Sequence, residues 1–209
     1  EKDIGLVDFI VGINEFKVTV QGRPDHAGTT PMGMRKDALS SAAEVMARVK
    51  DFAFEVGKGT VATVGSLDIS PGAANIVPGE VQFTVDVRSK DIHCIHQVRD
   101  KVKSALGEIE KKEDVTCNID DLLMVEPVEL STDILNIFKE EAENNSFSYK
   151  KMISGAGHDA MIMASITDVG LVFVPSKDGR SHCPEEWTDF EDLQKGIELI
   201  YHTVLQIGG

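Results

Sequence analysis

The 209-residue sequence lacks several things that would otherwise set its class. No apolar run approaches the ~18 residues that a membrane-spanning helix needs, so no membrane role is expected. Basic residues are scarce. Lys and Arg number 21 against 35 Asp and Glu, a formal net charge of -14. Phosphate binding needs a basic face, so a nucleic-acid or anionic-membrane partner is not expected. The three cysteines, Cys94, Cys117 and Cys183, are an odd number with no CxxC spacing. They make no disulfide framework, which points to a reducing, cytoplasmic setting. Glu1 is not an initiator methionine, so residues upstream of it are expected in the natural protein. There is no internal repeat and no low-complexity stretch.

With 42% hydrophobic residues, the chain can bury a substantial core. Phe9, Val11 and Ile13 alternate, and Phe16, Val18 and Val20 resume in a second phase. This reads as one long strand kinked near Gly12–Asn14. Leu39, Ala42, Ala43, Met46, Val49 and Ala53 mark an amphipathic helix that Gly57 and Gly59 end. A strand over residues 60–69 follows, then the alternation Val81, Phe83, Val85, Val87. Ile92, Ile95, Val98, Val102, Leu106 and Ile109 form a second helical stripe, and residues 115–124 a last strand. The order β-α-β-β-α-β is ferredoxin-like, with both helices on one sheet face.

Beyond Pro127 the pattern changes. A helix opens near Ser131, and a glycine turn stands at Gly155-Ala156-Gly157. Residues 169–174 form a continuous apolar run of the buried parallel-strand type. Thr188-x-x-Glu191 reads as a capping box opening a final helix. A buried strand needs neighbours on both sides. Residues 125–209 therefore read as the end of a larger α/β domain, 9–124 as a domain interrupting it, and 1–8 as a linker from the preceding part.

Five polar residues, one of them with an aspartate beside it, stand at junctions suited to chemistry. His26 follows a strand and precedes a helix, where it can donate to an oxyanion or simply occupy a helix-capping turn. Asn75 lies in an inter-strand loop, where its amide can serve a carbonyl oxygen or close an Asx turn. Arg88 ends a strand; its planar fork suits a carboxylate, although such arginines are usually solvated. His158 and Asp159 follow the glycine turn, as substrate contacts or as an ordinary helix start. His182 follows the apolar run at its C-terminal end, a place where open α/β sheets bind ligands and where an imidazole suits a metal. One histidine cannot hold a metal, and no HxD or HExxH cluster accompanies it. His93 and His96 stand at i and i+3, most simply a solvated helix face.

Taken together, DHAGTTPMGMRKDA, GAANIVPG, DVRSKD, SGAGHDA and SHCPEEW are more specific than any one alone. Their order resembles that of the amidase, hydantoinase/carbamoylase group of zinc aminopeptidase-like metallohydrolases. Allantoate amidohydrolase, N-carbamoyl-L-amino acid hydrolase and β-alanine synthase belong to that group. The resemblance implies a ferredoxin-like dimerisation lid plus the C-terminal part of an α/β catalytic domain, and a homodimer through the lid. It implies hydrolysis of C–N bonds in a small substrate bearing a carboxylate. His26 would stabilise the tetrahedral intermediate, Asn75 bind the amide or ureido oxygen, Arg88 the carboxylate, and His158 the substrate. His182 would be a metal ligand. Two divalent ions, zinc or manganese, are implied for the full-length protein, with none held tightly by this chain. An aminoacylase- or peptidase-like relative and a non-catalytic dimerisation module are the alternatives.

Overall fold

The structure, a computed structural model, describes residues 2–209. Its elements in order are β1 (Ile4–Ile10), β2 (Gly12–Gln21), β3 (Asp25–His26), α1 (Ala38–Val56), β4 (Val61–Ser70), β5 (Ile76–Val77), β6 (Glu80–Ser89), α2 (Ile92–Glu113), β7 (Thr116–Val125), β8 (Val128–Glu129), α3 (Thr132–Asn144), β9 (Tyr149–Ser154), α4 (Asp159–Met163), β10 (Leu171–Phe173) and α5 (Phe190–Gly208). They fall into two compact units. The inserted unit is Gly12–Pro127; the flanking unit runs up to Val11 and resumes over Val128–Gly209. No helix among the described residues is long and apolar enough to cross a membrane.

The inserted unit is an antiparallel sheet in the order β4-β6-β2-β7. That is the βαββαβ arrangement read from the sequence. Alternation decides which face is buried. Phe16, Val18 and Val20 of β2 and Val81, Phe83, Val85 and Val87 of β6 point to one face and are buried there. Ala42, Val45 and Val49 of α1 and Ile95, Val98 and Val102 of α2 cover them. Along β2 and β6 the opposite face is mostly polar, with Ile13 the exception. On it Arg88 pairs with Ile13, Asp86 with Glu15, Thr84 with Lys17 and Gln82 with Thr19. Both helices start on aspartate caps: the Asp37 carboxylate accepts from Leu39 N and Ser40 N, and the Asp91 carboxylate from His93 N. Gly57, at φ 71°, closes α1 in a conformation that a side chain disfavours.

At one end of this sheet the backbones crowd together. Gly22 N donates to Gly79 O at 2.8 Å, and Arg23 N to Lys36 O at 2.8 Å. A β-carbon on Gly22 would collide with the Lys36 carbonyl, and one on Gly79 would lie 2.6 Å from Pro24 Cδ.

The flanking unit has a smaller sheet centred on β1. β9 pairs with β1 in parallel, whereas β10 and β8 pair with it antiparallel. Ile4 and Leu6 pack with Phe138 and Ala142 of α3 and Leu199 of α5. The Asp3 carboxylate accepts from Ser148 N at 2.8 Å and Ser148 Oγ at 2.6 Å, and it pairs with Lys195 of α5.

Four local readings need correction. The single kinked strand is two strands in different units, because the chain changes partners at Gly12. A β-carbon there would lie 2.7 Å from Pro127 Cδ and 2.9 Å from Val125 O. Residues 1–8, read as a linker, therefore contain most of β1, and the inserted unit begins at Gly12 rather than at residue 9. The apolar run near residues 169–174 yields only the three-residue β10, half-buried and antiparallel to β1. Lastly, α5 is capped at Asp189 with no side-chain cap bond, so Thr188 and Glu191 form no capping box.

Candidate functional site

The five singled-out residues fall into three places. His26 and Asn75 come together in the inserted unit. β3 pairs with β5, placing His26 against Ile76, and Ala27 N donates to Asn75 O at 3.0 Å. His26 is exposed, and its Nδ1 accepts from Gly28 N at 3.0 Å and Thr29 N at 3.2 Å. It caps no helix; α1 starts twelve residues later at Ala38, capped by Asp37. The neutral imidazole carries one proton, so with Nδ1 accepting, that proton is on Nε2. Asn75 is exposed and its side-chain amide makes no hydrogen bond among the described residues, so it closes no Asx turn. Two outward donors thus stand on adjoining loops.

Arg88 lies at the other end of the same sheet. The run of β6 from Glu80 to Arg88 is roughly 25 Å at about 3.3 Å per residue. One small molecule cannot touch Arg88 and the His26–Asn75 pair of the same copy. Arg88 is no loose solvated charge. Its Nε donates to Asp86 Oδ1 at 2.8 Å and its Nη2 to Asp86 Oδ2 at 3.0 Å. That bond to Asp86 holds the guanidinium above its ordinary range.

His158 and His182 share a cleft of about 760 Å³ in the flanking unit, with Met152, Phe173, Arg180 and Glu186 on its walls. His158 precedes α4, makes no side-chain cap bond, and tilts against Phe173 with ring centroids 5.6 Å apart. Its Nε2 lies 2.7 Å from the buried Ser154 Oγ. The Ser154 hydroxyl lies 3.0 Å from Ala156 O and accepts from Ala156 N at 3.2 Å. A hydroxyl has one proton, so Ser154 donates either to the Ala156 carbonyl or to His158 Nε2, not to both. When that proton points to the carbonyl, Nε2 of His158 donates to Ser154 and Nδ1 of the neutral ring is an acceptor. His182 is exposed, with φ at 58°, and its N–H donates to Glu186 Oε2 at 2.8 Å. A left-handed backbone at a non-glycine residue is uncommon, and the Glu186 carboxylate holds it in place.

The cleft does not complete a metal site. No group of three His, Cys, Asp or Glu that could hold an ion exists among the described residues. His182 fits the chemistry of one ligand and nothing around it supplies the rest. All three cysteines are free; burial and the neighbouring Glu110 push the Cys117 thiol up to about 11.

Sequence reasoning missed Ser154 and Asp86, each of which touches a singled-out residue. Asp86 was findable, since strand period places i−2 on the same face as Arg88. Ser154 acts through loop geometry that no periodicity encodes.

Residues 18–206 match the model of Peptidase family M20/M25/M40. The chain is 46% identical over 198 residues to an N-carbamoyl-L-amino-acid amidohydrolase of Paenarthrobacter aurescens, covering 95% of this chain and 48% of that protein. It is 32% identical over 206 residues to an allantoate amidohydrolase of Escherichia coli (strain K12), covering 99% and 50%. Among solved structures, an amidase of the hydantoinase/carbamoylase family from Burkholderia multivorans superposes with a TM-score of 0.89 at 31% identity, over 98% of this chain and 50% of that one. The chain thus spans about half the length of the relatives it matches. With the family match running through nearly all of both units, the chain belongs to peptidase family M20/M25/M40.

Proposed function

We propose that the chain forms the lid and the C-terminal catalytic portion of a metal-dependent amidohydrolase. The enzyme would cleave C–N bonds of linear amides or ureido acids, of the N-carbamoyl-L-amino acid or allantoate type. One observation carries this reading. His26 and Asn75 present two outward donors on hydrogen-bonded loops, suited to a single substrate oxygen. Asn75 holds the amide or ureido oxygen in the ground state, and the Nε2–H of His26 meets the charge that develops on it. Arg88, aligned by Asp86, takes the substrate carboxylate, and His158 offers its Nδ1 lone pair to a substrate N–H. Because Arg88 lies roughly 25 Å along the sheet from that pair, the two ends serve different copies of the active site. Two divalent ions, zinc or manganese, would activate water in the full-length protein, with His182 as one ligand. The other ligands and the general base belong to the length of the relatives that this chain does not span, so the chain alone is expected to be inactive. The three unpaired cysteines favour a cytoplasmic setting.

The same reading requires a homodimer through the inserted unit. β4 and β7 are the edges of its sheet, and an open edge is a template for pairing. Light scattering that shows only monomer at high concentration would remove the two-copy site.

The enzymatic test uses full-length protein assayed side by side with allantoate, N-carbamoyl amino acids and dipeptides. Turnover of dipeptides alone would favour the peptidase-like alternative. His26→Ala is expected to lower turnover on the order of 100–1000-fold, the usual cost of losing an oxyanion donor. Turnover within a few-fold of wild type would refute its role. Arg88→Ala is expected to raise KM for carboxylate substrates more than for neutral amides.

A further inference from the structure

The loop carrying His26 is held by an arginine that no part of the proposed chemistry uses. Arg35 makes no ion pair among the described residues. Its guanidinium is spent on two main-chain oxygens of the loop: Nε donates to Thr30 O at 3.0 Å and Nη2 to Ala27 O at 2.6 Å. The side chain is partly buried, not waving in solvent.

These two oxygens bracket the N–H groups that contact the histidine. Ala27 C=O and Gly28 N–H belong to one peptide group, which is planar and trans, so its oxygen and its hydrogen point opposite ways. Arg35 draws the oxygen to one side, and the hydrogen faces His26 Nδ1 on the other at 3.0 Å. A charged donor on the oxygen also polarises the peptide and strengthens what its N–H donates. Thr30 O is held by the second tooth of the fork, while Thr30 N closes the turn onto His26 O at 3.1 Å. Thr29 N, between them, supplies the second bond to Nδ1 at 3.2 Å. A lysine would bring one charge to this place but not two donors in a fixed plane.

The geometry points to Arg35 as the positioning residue for His26. By clamping the Ala27 and Thr30 carbonyls it turns Gly28 N–H and Thr29 N–H onto Nδ1, and so keeps the ring's proton on outward-facing Nε2. This rests on the proposed function for its purpose, since an oxyanion donor must present N–H and not a lone pair. It does not rest on it for its existence, because the clamp is a property of this chain.

The test separates the two. In the isotopically labelled chain at pH about 8, above the ordinary imidazole range of about 6.5, long-range nitrogen–proton correlations read each histidine's tautomer directly. Wild-type His26 is expected as a single species protonated at Nε2. Arg35→Met is expected to give a mixture of tautomers at His26 and to leave His158 as in wild type. Arg35→Lys is expected to mix them as well; it keeps the charge and the stem, and decides the matter if the Met variant does not fold. A variant in which His26 stays a single Nε2–H species, or a wild-type spectrum with the proton on Nδ1, would overturn the inference.

The full-length enzyme supplies the second readout. Arg35→Met is expected to lower kcat on the order of 10–100-fold, with KM within a few-fold, as for a misaligned catalytic group. Unchanged tautomers with a lowered kcat would reduce Arg35 to a structural support and sink the positioning role. Mixed tautomers in a protein whose His26→Ala variant is fully active would leave the clamp standing and remove the assigned chemistry of His26.

Discussion

The two units bury apolar surface to very different extents. In the inserted unit, one sheet face and the stripes of two long helices meet in a closed layer. Phe16, Val18, Val20, Phe83, Val85 and Val87 are fully buried there, with Val45, Ile95 and Val98 above them. In the flanking unit, α5 sends Leu199 into a small core yet leaves Ile197, Tyr201 and Val204 more than half exposed. A helix with apolar residues on both sides is made to be covered on both sides. The lesson is one of division of labour: the inserted unit carries its own stability, while the flanking unit, which holds the cleft, is the one from which local opening is expected to start.

The comparison can be broken most sharply at Phe83. Removing its ring from the closed layer is expected to cost about 3–5 kcal/mol. Trp187, the single tryptophan, belongs to the flanking unit, so its emission reports that unit alone, whereas far-UV circular dichroism sums over the helices and strands of both. In Phe83→Ala the dichroism midpoint in urea should fall, while the Trp187 transition should not follow it. Coincident shifts would mean that the units do not unfold separately.

A smaller effect is expected at Asp3, whose carboxylate ties β1 to Ser148 and to α5. The bond from Lys195, then those from Ser148, hold it well below the usual carboxylate range. A depressed carboxylate pKa stabilises the fold at pH values above the unfolded-state value near 3.8. That contribution drains away as pH falls through the lower, folded-state value. The Trp187 transition should therefore weaken below about pH 4. Asp3→Ala should flatten that dependence and cost about 1.5–3 kcal/mol at neutral pH, the range for hydrogen bonds to charged groups. An unchanged acid profile in the variant would show that another carboxylate governs it.

The smallest change belongs to the ion pairs that link α1 to α2. Lys101 and Glu55 lie 2.6 Å apart, both substantially exposed. Lys101→Ala should cost only about 0.2–1 kcal/mol, and less in high salt. A larger loss would mean that the inserted unit depends on its surface charges and not on its core alone.

Legibility in the sequence followed the same division. The inserted unit was readable because each element shows one unmixed period: two in Val81–Val87, about 3.6 along the stripe from Ile95 to Ile109. The flanking unit was harder. Three residues of β10 are too few to show a period, and nothing local says whether such a run pairs parallel or antiparallel. The β1–β2 handover was hidden because alternation records exposure and not the identity of the partner strand. Of the site, the five residues were visible as motif members, but not their grouping. That His26 sits beside Asn75 follows from β3–β5 pairing between two-residue strands, which leave no pattern. That His158 leans on Ser154 depends on the conformation of a glycine turn.

The crowded backbones beneath the His26 loop carry a consequence for genetics. Gly22 and Gly79 have no room for a methyl group, because the Lys36 carbonyl and the Pro24 ring stand in the way. In a saturation screen scored by growth, both positions would register as intolerant as any residue at the reaction centre, though neither has a side chain to offer a substrate. Counting the protein copies in each such mutant would separate the two kinds of intolerance, since a crowded glycine loses the molecule and a chemical residue loses only its rate.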